Sequence, residues 1–459
     1  MTLKSEKKFQ TLFFLVLFFT ILLRGFIILL LNPPWQNPDE PTHFECSLIW
    51  KNLLSGIVVD QEQATYERDI LISMKHNKFW INLGYSSPEP VPSTFSNAPF
   101  IYLRPSQKNS PPLYYIFTGL IFNFFSFLTN LTDYLILGRI FSLLIFLILL
   151  LVIIKICTIF SINETAWIYG IIIFIGFHPG FTIISTAMNP DILVLLFFYL
   201  FIYFLCRLLC EKVSIISWIG LIISFFLCIS TKRNILFISP LILWPLGSVA
   251  LKKLKKGSSL PVILILLNIC AIFFVIFVTA TWFFPGLIFQ IASGFNFLTN
   301  AAFYWKFGSP VHSSWWIIFS ETLIKSFWIS AGWMTYFLHG KYYYFFYGLT
   351  ITSFLSILIL NQRFSRYYDI SNQKVLWILC AAILVLNLCV VYIFGITEGL
   401  AQGRYLYPSL LPIAIIVVSG LQVLSTLRWC NWIYPFALIT YVIYSTISLF
   451  KLLLTSYYP

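Results

Sequence analysis

The sequence predicts an all-α polytopic membrane protein, a bundle of membrane-spanning helices with one long loop after the first span. Its 459 residues are 59% hydrophobic and only 10% charged, and the mean hydropathy is +0.88. A water-soluble globular chain does not carry so large an apolar fraction. The composition therefore excludes a soluble enzyme, and the 48 Phe, 25 Tyr and 15 Trp residues suit spanning helices and their interfacial belts.

Several apolar runs approach the roughly 20 residues that cross a hydrocarbon layer, so we expect about 11 spans, within a range of about 10 to 13. The runs are Thr11–Leu31, Leu135–Ile156, Ala166–Ala187, Ile192–Leu209, Val213–Ser230, Ile235–Ala250, Leu260–Phe284, Tyr343–Leu360, Val375–Phe394, Leu406–Leu424 and Trp432–Leu452. Two ambiguous segments, Pro111–Leu128 and Ser320–Leu338, are expected to lie at the membrane surface. A span at Pro111–Leu128 would invert every later loop, and Glu321 and Lys325 would make a poor lipid face in the other segment.

The basic residues predict the orientation of the chain. With the N-terminus in the cytoplasm, the basic connections between spans all fall on the cytoplasmic side, as the positive-inside rule requires. These residues are Lys155, Arg207, Lys212, Lys252, Lys253, Lys255, Lys256, Arg363, Arg366, Lys374 and Arg428. The net charge of +13 is therefore interpreted as a topology signal and a source of lipid-headgroup contacts, and nucleic acid is not an expected partner.

We expect one integral membrane domain over residues 1–459, located in a bacterial cytoplasmic membrane. Residues 32–134 are expected to form the long first extracytoplasmic loop, with juxtamembrane helices, and residues 285–342 a second one. Cys46 is the one cysteine of the long polar loop, and it is expected to be accessible there.

Acidic residues stand at the predicted outer side of the membrane, directly after the first span. Asp39 and Glu40 lie between Pro38 and Pro41, which restrict the backbone to few conformations. Charged groups at membrane depth are costly unless they are paired or hydrated, so an accumulation on one side predicts a water-filled cavity there. The carboxylates suit either a general base or a ligand for Mg²⁺ or Mn²⁺.

Basic residues on the same predicted side suit the recognition of a lipid phosphate. Lys232 and Arg233 join the fifth and sixth spans, and Arg404 joins the ninth and tenth. An arginine offers the bidentate fork that phosphate oxygens match. The supporting residues expected around them are His43, Asp191, Gln402 and Tyr405.

Each of these residues also has a purely structural interpretation. Asp39 and Glu40 could cap the next helix or solvate the loop, and Asn189-Pro190-Asp191 alone indicates a helix start. Lys232 and Arg233 could extend toward lipid headgroups without binding a substrate.

Taken together, the motifs resemble a bacterial family of polytopic membrane proteins that is similar to the GT-C superfamily of glycosyltransferases. The motifs are PDEPTHF at 38–44, PPLYY at 111–115, NPD at 189–191, TK at 231–232, SFW at 326–328, GW at 332–333 and QGRY at 402–405 followed by Pro408. The resemblance covers most of the chain. It implies a GT-C-like bundle, Asp39 or Glu40 as base or metal ligand, and an outer cavity for a polyprenyl-phosphate-linked sugar donor.

The leading interpretation is an inverting sugar transfer to a glycan or lipid acceptor in cell-envelope glycan synthesis or modification. Asp39 or Glu40 would deprotonate the acceptor hydroxyl, while Lys232, Arg233 and Arg404 stabilise the lipid-phosphate leaving group. Two alternatives remain open: a transporter or flippase of a lipid-linked sugar, which needs gating on both faces, and a non-catalytic assembly subunit. The sequence identifies neither the sugar nor the acceptor.

Overall fold

The computed structural model describes residues 3–57, 63–97, 110–160, 165–211, 214–247, 315–360, 370–398, 402–427 and 430–458. Within these ranges the chain is helical and forms no strand, although an isolated antiparallel β-bridge links Ala331 to Tyr336. The α-helices are α1 (Leu3–Leu31), α2 (Glu40–Leu54), α3 (Gln63–His76), α4 (Phe79–Asn82), α5 (Leu113–Phe124), α6 (Leu131–Phe160), α7 (Thr165–Gly176), α8 (Pro179–Ser185), α9 (Asp191–Cys210), α10 (Ile215–Thr231), α11 (Trp315–Trp328), α12 (Lys341–Ile359), α13 (Ile370–Glu398), α14 (Leu410–Ser425) and α15 (Ile433–Tyr457). The 3-10 helices are η1 (Phe95–Asn97), η2 (Arg233–Ile242) and η3 (Gly403–Ser409).

Seven helical segments in the described part of the chain are long and apolar enough to cross a membrane, which confirms the predicted polytopic fold. They are Lys8–Leu31, Leu131–Phe160, Asp191–Cys210, Lys341–Ile359, Asn372–Gly395, Gly403–Ser425 and Ile433–Tyr457. Each contains most or all of one predicted apolar run.

The other predicted runs take different forms. Ala166–Ala187 corresponds to α7 and α8, which are bent by 67° at a break before Pro179 and count as an eighth span if taken together. Val213–Ser230 corresponds to α10, which has only 17 residues. The run that starts at Ile235 begins as the 3-10 helix η2, which contains Pro240 and is also short. Leu260–Phe284 lies outside the described residues.

The segment between α1 and α6 folds into short helices that do not span. Helix α5 has 12 residues and is therefore only about 18 Å long, in agreement with the prediction that Pro111–Leu128 does not cross. It packs so closely on α2 that a Cβ added at Gly119 would lie 2.9 Å from the Lys51 backbone nitrogen. Cys46 on α2 is only 3% exposed, so the expectation of an accessible thiol is wrong. The polar sequence around this cysteine gave no sign that α2 is a buried helix.

The second predicted loop is described only from residue 315 onward. Helix α11 has 14 residues, too few to span, and Glu321 forms an ion pair with Lys325 one turn later on its exposed surface. A tight turn from Ala331 to Tyr336 follows α11 and leads toward α12.

The helices place several connections at one end of the bundle, which we call the site end. Helix α1 ends shortly before Asp39, α9 begins at Asp191, α10 ends just before Lys232, and Arg404 lies in η3 ahead of α14. Ion pairs join these connections, from Arg404 to Asp39 and from Lys232 to Asp191. The site end therefore gathers residues that are widely separated in the sequence.

Helices α12 and α14 approach each other closely at Gly420. A Cβ added there would lie 2.2 Å from the carbonyl oxygen of Ser353 and 2.6 Å from its Cα atom. Small residues allow the backbones of spanning helices to approach and gain van der Waals contact. Gly420 therefore sets the spacing of α14, the helix that follows Arg404 in the chain.

We expect Gly420→Ala to destabilise the fold by about 1–3 kcal/mol, because the methyl group has no space unless the α12 backbone moves. The measurement is thermal unfolding of the purified protein in detergent. Gly348→Ala is the matched control, since Gly348 lies on α12 with nothing within 4 Å of an added Cβ. Equal melting temperatures for the two variants would contradict the close packing.

Candidate functional site

A cleft opens at the site end of the bundle and encloses about 410 Å³ of empty space, part of it open to the surface. Its walls come from the turn after α1, from α8, from the end of α11 with the turn that follows it, and from η3. The lining residues are Asn37, Pro38, Gly180, Ile183, Ile184, Ser326, Ser330, Ala331, Gly332, Trp333, Met334, Gln402, Gly403, Arg404 and Tyr407.

Strained backbone conformations concentrate around this cleft. Of the five non-glycine residues with positive φ in the described ranges, Trp35, Asp39, Trp333 and Met334 lie in the cleft walls or directly beside them, with φ of 71°, 63°, 57° and 65°. Such conformations cost about 1–3 kcal/mol each and persist where the surrounding structure holds them, often at functional sites. The indole nitrogen of Trp333 donates a hydrogen bond of 3.1 Å to the Trp35 carbonyl, which joins the two strained segments.

Two carboxylates and two cations form a continuous charged group beside the cleft. The Nη2 atom of Arg404 lies 2.6 Å from Oδ2 of Asp39, and its Nη1 atom lies 3.8 Å from Oδ2 of Asp191. Lys232 forms an ion pair with the other oxygen of Asp191. The ring of Tyr405 lies 5.4 Å from the Arg404 guanidinium and 5.8 Å from the Lys232 ammonium, within the range of cation–π contacts.

Arg404 keeps unused hydrogen-bonding capacity although its side chain is only 7% exposed. Its Nε and Nη1 atoms are buried and have no hydrogen-bond partner among the residues that the structure describes, and the same holds for Oε1 of Gln402. Both residues line the cleft. Buried donors without hydrogen bonds are costly, so a guanidinium with two such nitrogens in a cleft is suited to an anionic ligand.

The position of Arg404 depends on the neighbouring glycine. A Cβ added at Gly403 would lie 1.9 Å from the backbone nitrogen of Phe327, so only glycine fits against α11 here. The Gly403 amide also donates a hydrogen bond of 2.8 Å to Oγ of Ser326. These two contacts fix η3 against α11 and hold the adjacent Arg404 at the cleft.

Asp39 is ionised in this setting, with about a third of its side chain exposed. Burial by itself would raise the pKa of this carboxyl, but the positive charge and hydrogen bond of Arg404, with smaller contributions from His43 and Lys232, hold the pKa below its usual value. A low pKa makes Asp39 a weak base as long as Arg404 is paired with it.

His43 is buried beside the same charges, on α2. Burial is the main cause that lowers its pKa from 6.5 to about 4; Lys232 and Arg404 lower it further, while Asp39 and Asp191 oppose them. Its Nδ1 atom shares a hydrogen bond of 2.8 Å with the hydroxyl of Tyr115 on α5. His43 is therefore neutral near pH 7 and anchors α2 to α5.

Glu40 occupies a different environment from its neighbour Asp39. Its side chain is fully buried and forms an ion pair of 2.6 Å with Arg139 of α6. The two adjacent carboxylates, which the sequence treats as interchangeable candidates, thus contact different cations. Among the described residues, Glu40 makes no ion pair with Arg404, and it does not line the cleft.

The structure brings together most of the predicted site residues. Asp39, Asp191, Lys232 and Arg404 are joined by ion pairs, while Gln402 lines the cleft. The Arg233 side chain lies outside the described residues.

The donor set does not fit the Mg²⁺ or Mn²⁺ ion that the sequence allowed at Asp39 and Glu40. Each of these carboxylates is already paired with an arginine, which would repel a dication. Nor does any group of three or more His, Cys, Asp or Glu side chains suitable for a metal occur in the described ranges.

Two important residues were missed at the sequence level. Arg139 lies in the second apolar run, and a charge at membrane depth is itself a signal that a buried partner exists. Trp333 belongs to the GW motif at 332–333, but no sequence pattern indicates its strained backbone.

Comparison with known proteins identifies one family. Residues 22–414 match the model of a family described as "Predicted membrane protein (DUF2142)". No curated protein and no solved structure gives a significant match.

We expect the melting temperature to fall as the pH is lowered from 6.5 to about 4. The folded pKa of His43 lies below the unfolded one, so in this window the unfolded chain binds a proton that the folded chain does not, at a cost of at most about 3 kcal/mol. Asp39, whose pKa is lowered from 3.8, contributes only at still lower pH.

The measurement is thermal unfolding in detergent across this pH range. His43→Gln should make the dependence shallower, whereas His339→Gln, at an exposed histidine, should leave it unchanged. An unaltered slope in His43→Gln would show that another group titrates.

Proposed function

The chain belongs to the predicted membrane protein family DUF2142, and on that premise we propose that it transfers a sugar from a polyprenyl-phosphate-linked donor to an acceptor hydroxyl. The reaction takes place in the cleft at the site end, on the extracytoplasmic face of a bacterial cytoplasmic membrane. The product belongs to cell-envelope glycan synthesis or modification. The Asp39 and Arg404 motifs resemble a bacterial membrane-protein family that is similar to the GT-C glycosyltransferases, and this resemblance supports the assignment.

The main support for the proposal is the unused hydrogen-bonding capacity of Arg404. Its guanidinium is buried in the cleft, its Nε and Nη1 atoms make no hydrogen bond to a described group, and it lies 2.6 Å from a carboxylate that can accept a proton. A phosphate monoester or diester offers the oxygens that such a guanidinium binds. An anion site and a candidate base therefore share one cleft at one end of a membrane bundle.

The transfer follows from these positions. The acceptor hydroxyl attacks the anomeric carbon of the donor sugar, a new glycosidic bond forms, and the bond from that carbon to the phosphate oxygen breaks. Asp39 takes the hydroxyl proton, and the polyprenyl phosphate leaves with the bonding electrons. Arg404 and Lys232 stabilise the charge that develops on the leaving phosphate.

The ion pair between Asp39 and Arg404 links donor binding to catalysis. A phosphate bound to Arg404 offsets the positive charge that holds the pKa of Asp39 low, so Asp39 becomes a stronger base once the donor is present. Without the donor, the ionised and paired carboxylate is a poor base toward water. This coupling makes Asp39 a stronger base only when a donor is bound.

The basic residues support the proposed sidedness. Lys155 and Arg207 lie on α6 and α9 toward the end of the bundle opposite the cleft, and Arg207 forms an ion pair with the exposed Glu211. An excess of basic residues marks the cytoplasmic side, which leaves the site end extracytoplasmic.

A transporter of a lipid-linked sugar is the second candidate, and one observation favours it. Helices α7 and α8 form a span that is broken and bent by 67°, and Gly180, Ile183 and Ile184 of α8 line the cleft. Broken helices form the substrate sites of many transporters. Reconstituted vesicles distinguish the two candidates, because a transporter moves the donor across the bilayer without consuming it.

We expect Arg404→Lys to reduce donor affinity clearly, because the lysine keeps the charge but removes the fork that binds two phosphate oxygens. Loss of a charge-assisted contact is worth about 1.5–3 kcal/mol, which is roughly a 10- to 150-fold change. The assay is turnover of radiolabelled polyprenyl-phosphate sugars by the protein in vesicles, as a function of donor concentration. Arg207→Lys, at the exposed pair with Glu211, is the control. Normal donor use by Arg404→Lys would place phosphate recognition elsewhere.

We expect Asp39→Asn to lower turnover by about 10²- to 10⁴-fold while the donor still binds, because the amide cannot accept the hydroxyl proton. The same vesicle assay gives turnover, and filter binding of the labelled donor gives affinity. Asp133→Asn is the control, since Asp133 lies in the first turn of α6 and outside the cleft. Wild-type turnover in Asp39→Asn would remove its role as base and would favour the transporter or an assembly subunit.

A further inference from the structure

Groups of the protein itself fill all the acceptor positions of the Glu40 carboxylate. Its Oε1 atom accepts from Nε of Arg139 at 2.8 Å, from the side-chain amide of Asn37 at 3.2 Å and from the backbone amide of Met188 at 3.2 Å. Its Oε2 atom accepts from Nη2 of Arg139 at 2.6 Å and from the backbone amide of Trp35 at 3.1 Å. A carboxylate so fully engaged has no lone pair left for a substrate proton.

Arg139, the partner of Glu40, also directs its hydrogen bonds to the protein. Besides Glu40, its Nη1 atom donates to the carbonyl oxygens of Leu29 at 3.2 Å and Asn32 at 2.6 Å, and its Nη2 atom donates to that of Pro33 at 3.0 Å. These carbonyls belong to the end of α1 and the turn that follows. One buried pair thus connects α6 to the chain that leaves the first span.

The pair also connects the two segments that carry the cleft carboxylates. Glu40 follows Asp39 directly, and the Met188 amide that it binds lies three residues before Asp191. The side-chain amide of Asn189 adds a bond of 3.5 Å to the carbonyl of Pro38. Asp39 and Asp191, the two acids on either side of Arg404, are therefore held through Glu40.

We propose that Glu40 and Arg139 form a positioning pair that fixes the spacing of Asp39 and Asp191 around Arg404, and that Glu40 is not a catalytic residue. The contacts at Trp35 and Met188 set the two turns relative to each other, because both amides bind the same carboxylate. The left-handed conformation of Asp39, with φ of 63°, is maintained between these fixed points. The inference rests on the proposed function for its kinetic consequence and on geometry alone for its structural consequence.

The test compares a single and a double variant of this chain with matched controls. Glu40→Gln leaves Arg139 as a buried unpaired charge and is expected to destabilise the fold strongly. The double variant Glu40→Gln with Arg139→Gln removes both charges, avoids that penalty and is the informative one. Glu67→Gln is the matched control, because Glu67 is also buried and accepts a backbone amide, that of Phe95 at 2.8 Å, away from the cleft.

The first measurement is hydrogen–deuterium exchange, followed by mass spectrometry, in peptides that contain Trp35 and Met188. Both turns should exchange faster in the double variant and should keep wild-type protection in Glu67→Gln and in Asp39→Asn. Retained protection of both turns in the double variant would overturn the proposal. This measurement needs no catalytic activity, so it stands even if the wild-type protein shows no sugar transfer and the proposed function fails.

The second measurement separates kcat from KM for the labelled donor. A displaced base should lower kcat by about 100-fold, as misplacements of about 1 Å do, while KM changes little because Arg404 still binds the phosphate. A purely structural role predicts a lower melting temperature with normal kcat for each folded molecule. A folded double variant that turns over donor at the wild-type rate would therefore contradict positioning, whatever its stability.

Discussion

The buried ion pair between Glu40 and Arg139 is the contact on which the geometry of the site end depends. Both side chains are almost wholly inaccessible, and each is satisfied by further bonds to backbone groups. Removing one partner from such a pair leaves an uncompensated charge in a medium of low dielectric, so the two residues and the segments that they join behave as one unit. The end of α1, the start of α2, α6 and the turn before α9 are connected at this point.

The cleft presents the opposite situation, because its charges are only partly satisfied. Arg404 shares its guanidinium between Asp39 and Asp191, with one contact of 2.6 Å and one of 3.8 Å, and its Nε and Nη1 atoms make no hydrogen bond to a described group. The strained residues Trp35, Asp39 and Trp333 stand in or beside the same walls. The Glu40–Arg139 pair has all its hydrogen bonds satisfied, whereas the cleft beside it has unsatisfied donors and strained backbone. This arrangement is expected where a scaffold holds reactive groups for a ligand.

The sequence directed attention to Asp39, Lys232, Asp191 and Arg404, because charged residues beside apolar runs are costly unless they are paired or hydrated. It could not distinguish Asp39 from Glu40, since both have the same chemistry and stand between the same prolines. The difference arises from Arg139, which is 99 residues away in the sequence and binds only one of them. Cys46 likewise stands in a polar stretch of the sequence, which predicts an exposed thiol. In the structure, where α5 packs on α2, the thiol is buried.

Composition and hydropathy alone determined that this chain is a polytopic helical membrane protein, because lipid allows no other use for so many apolar residues in runs of this length. Hydropathy also located most of the spans, since each run satisfies its own backbone hydrogen bonds and needs no distant partner. Only the tertiary structure decided three other features. These are the break between α7 and α8, the pairing of Arg404 with two acids, and the pairing of Glu40 with Arg139 instead of Arg404. Those features depend on which distant segments meet, and that is set by side-chain packing and charge pairing, which no local pattern encodes.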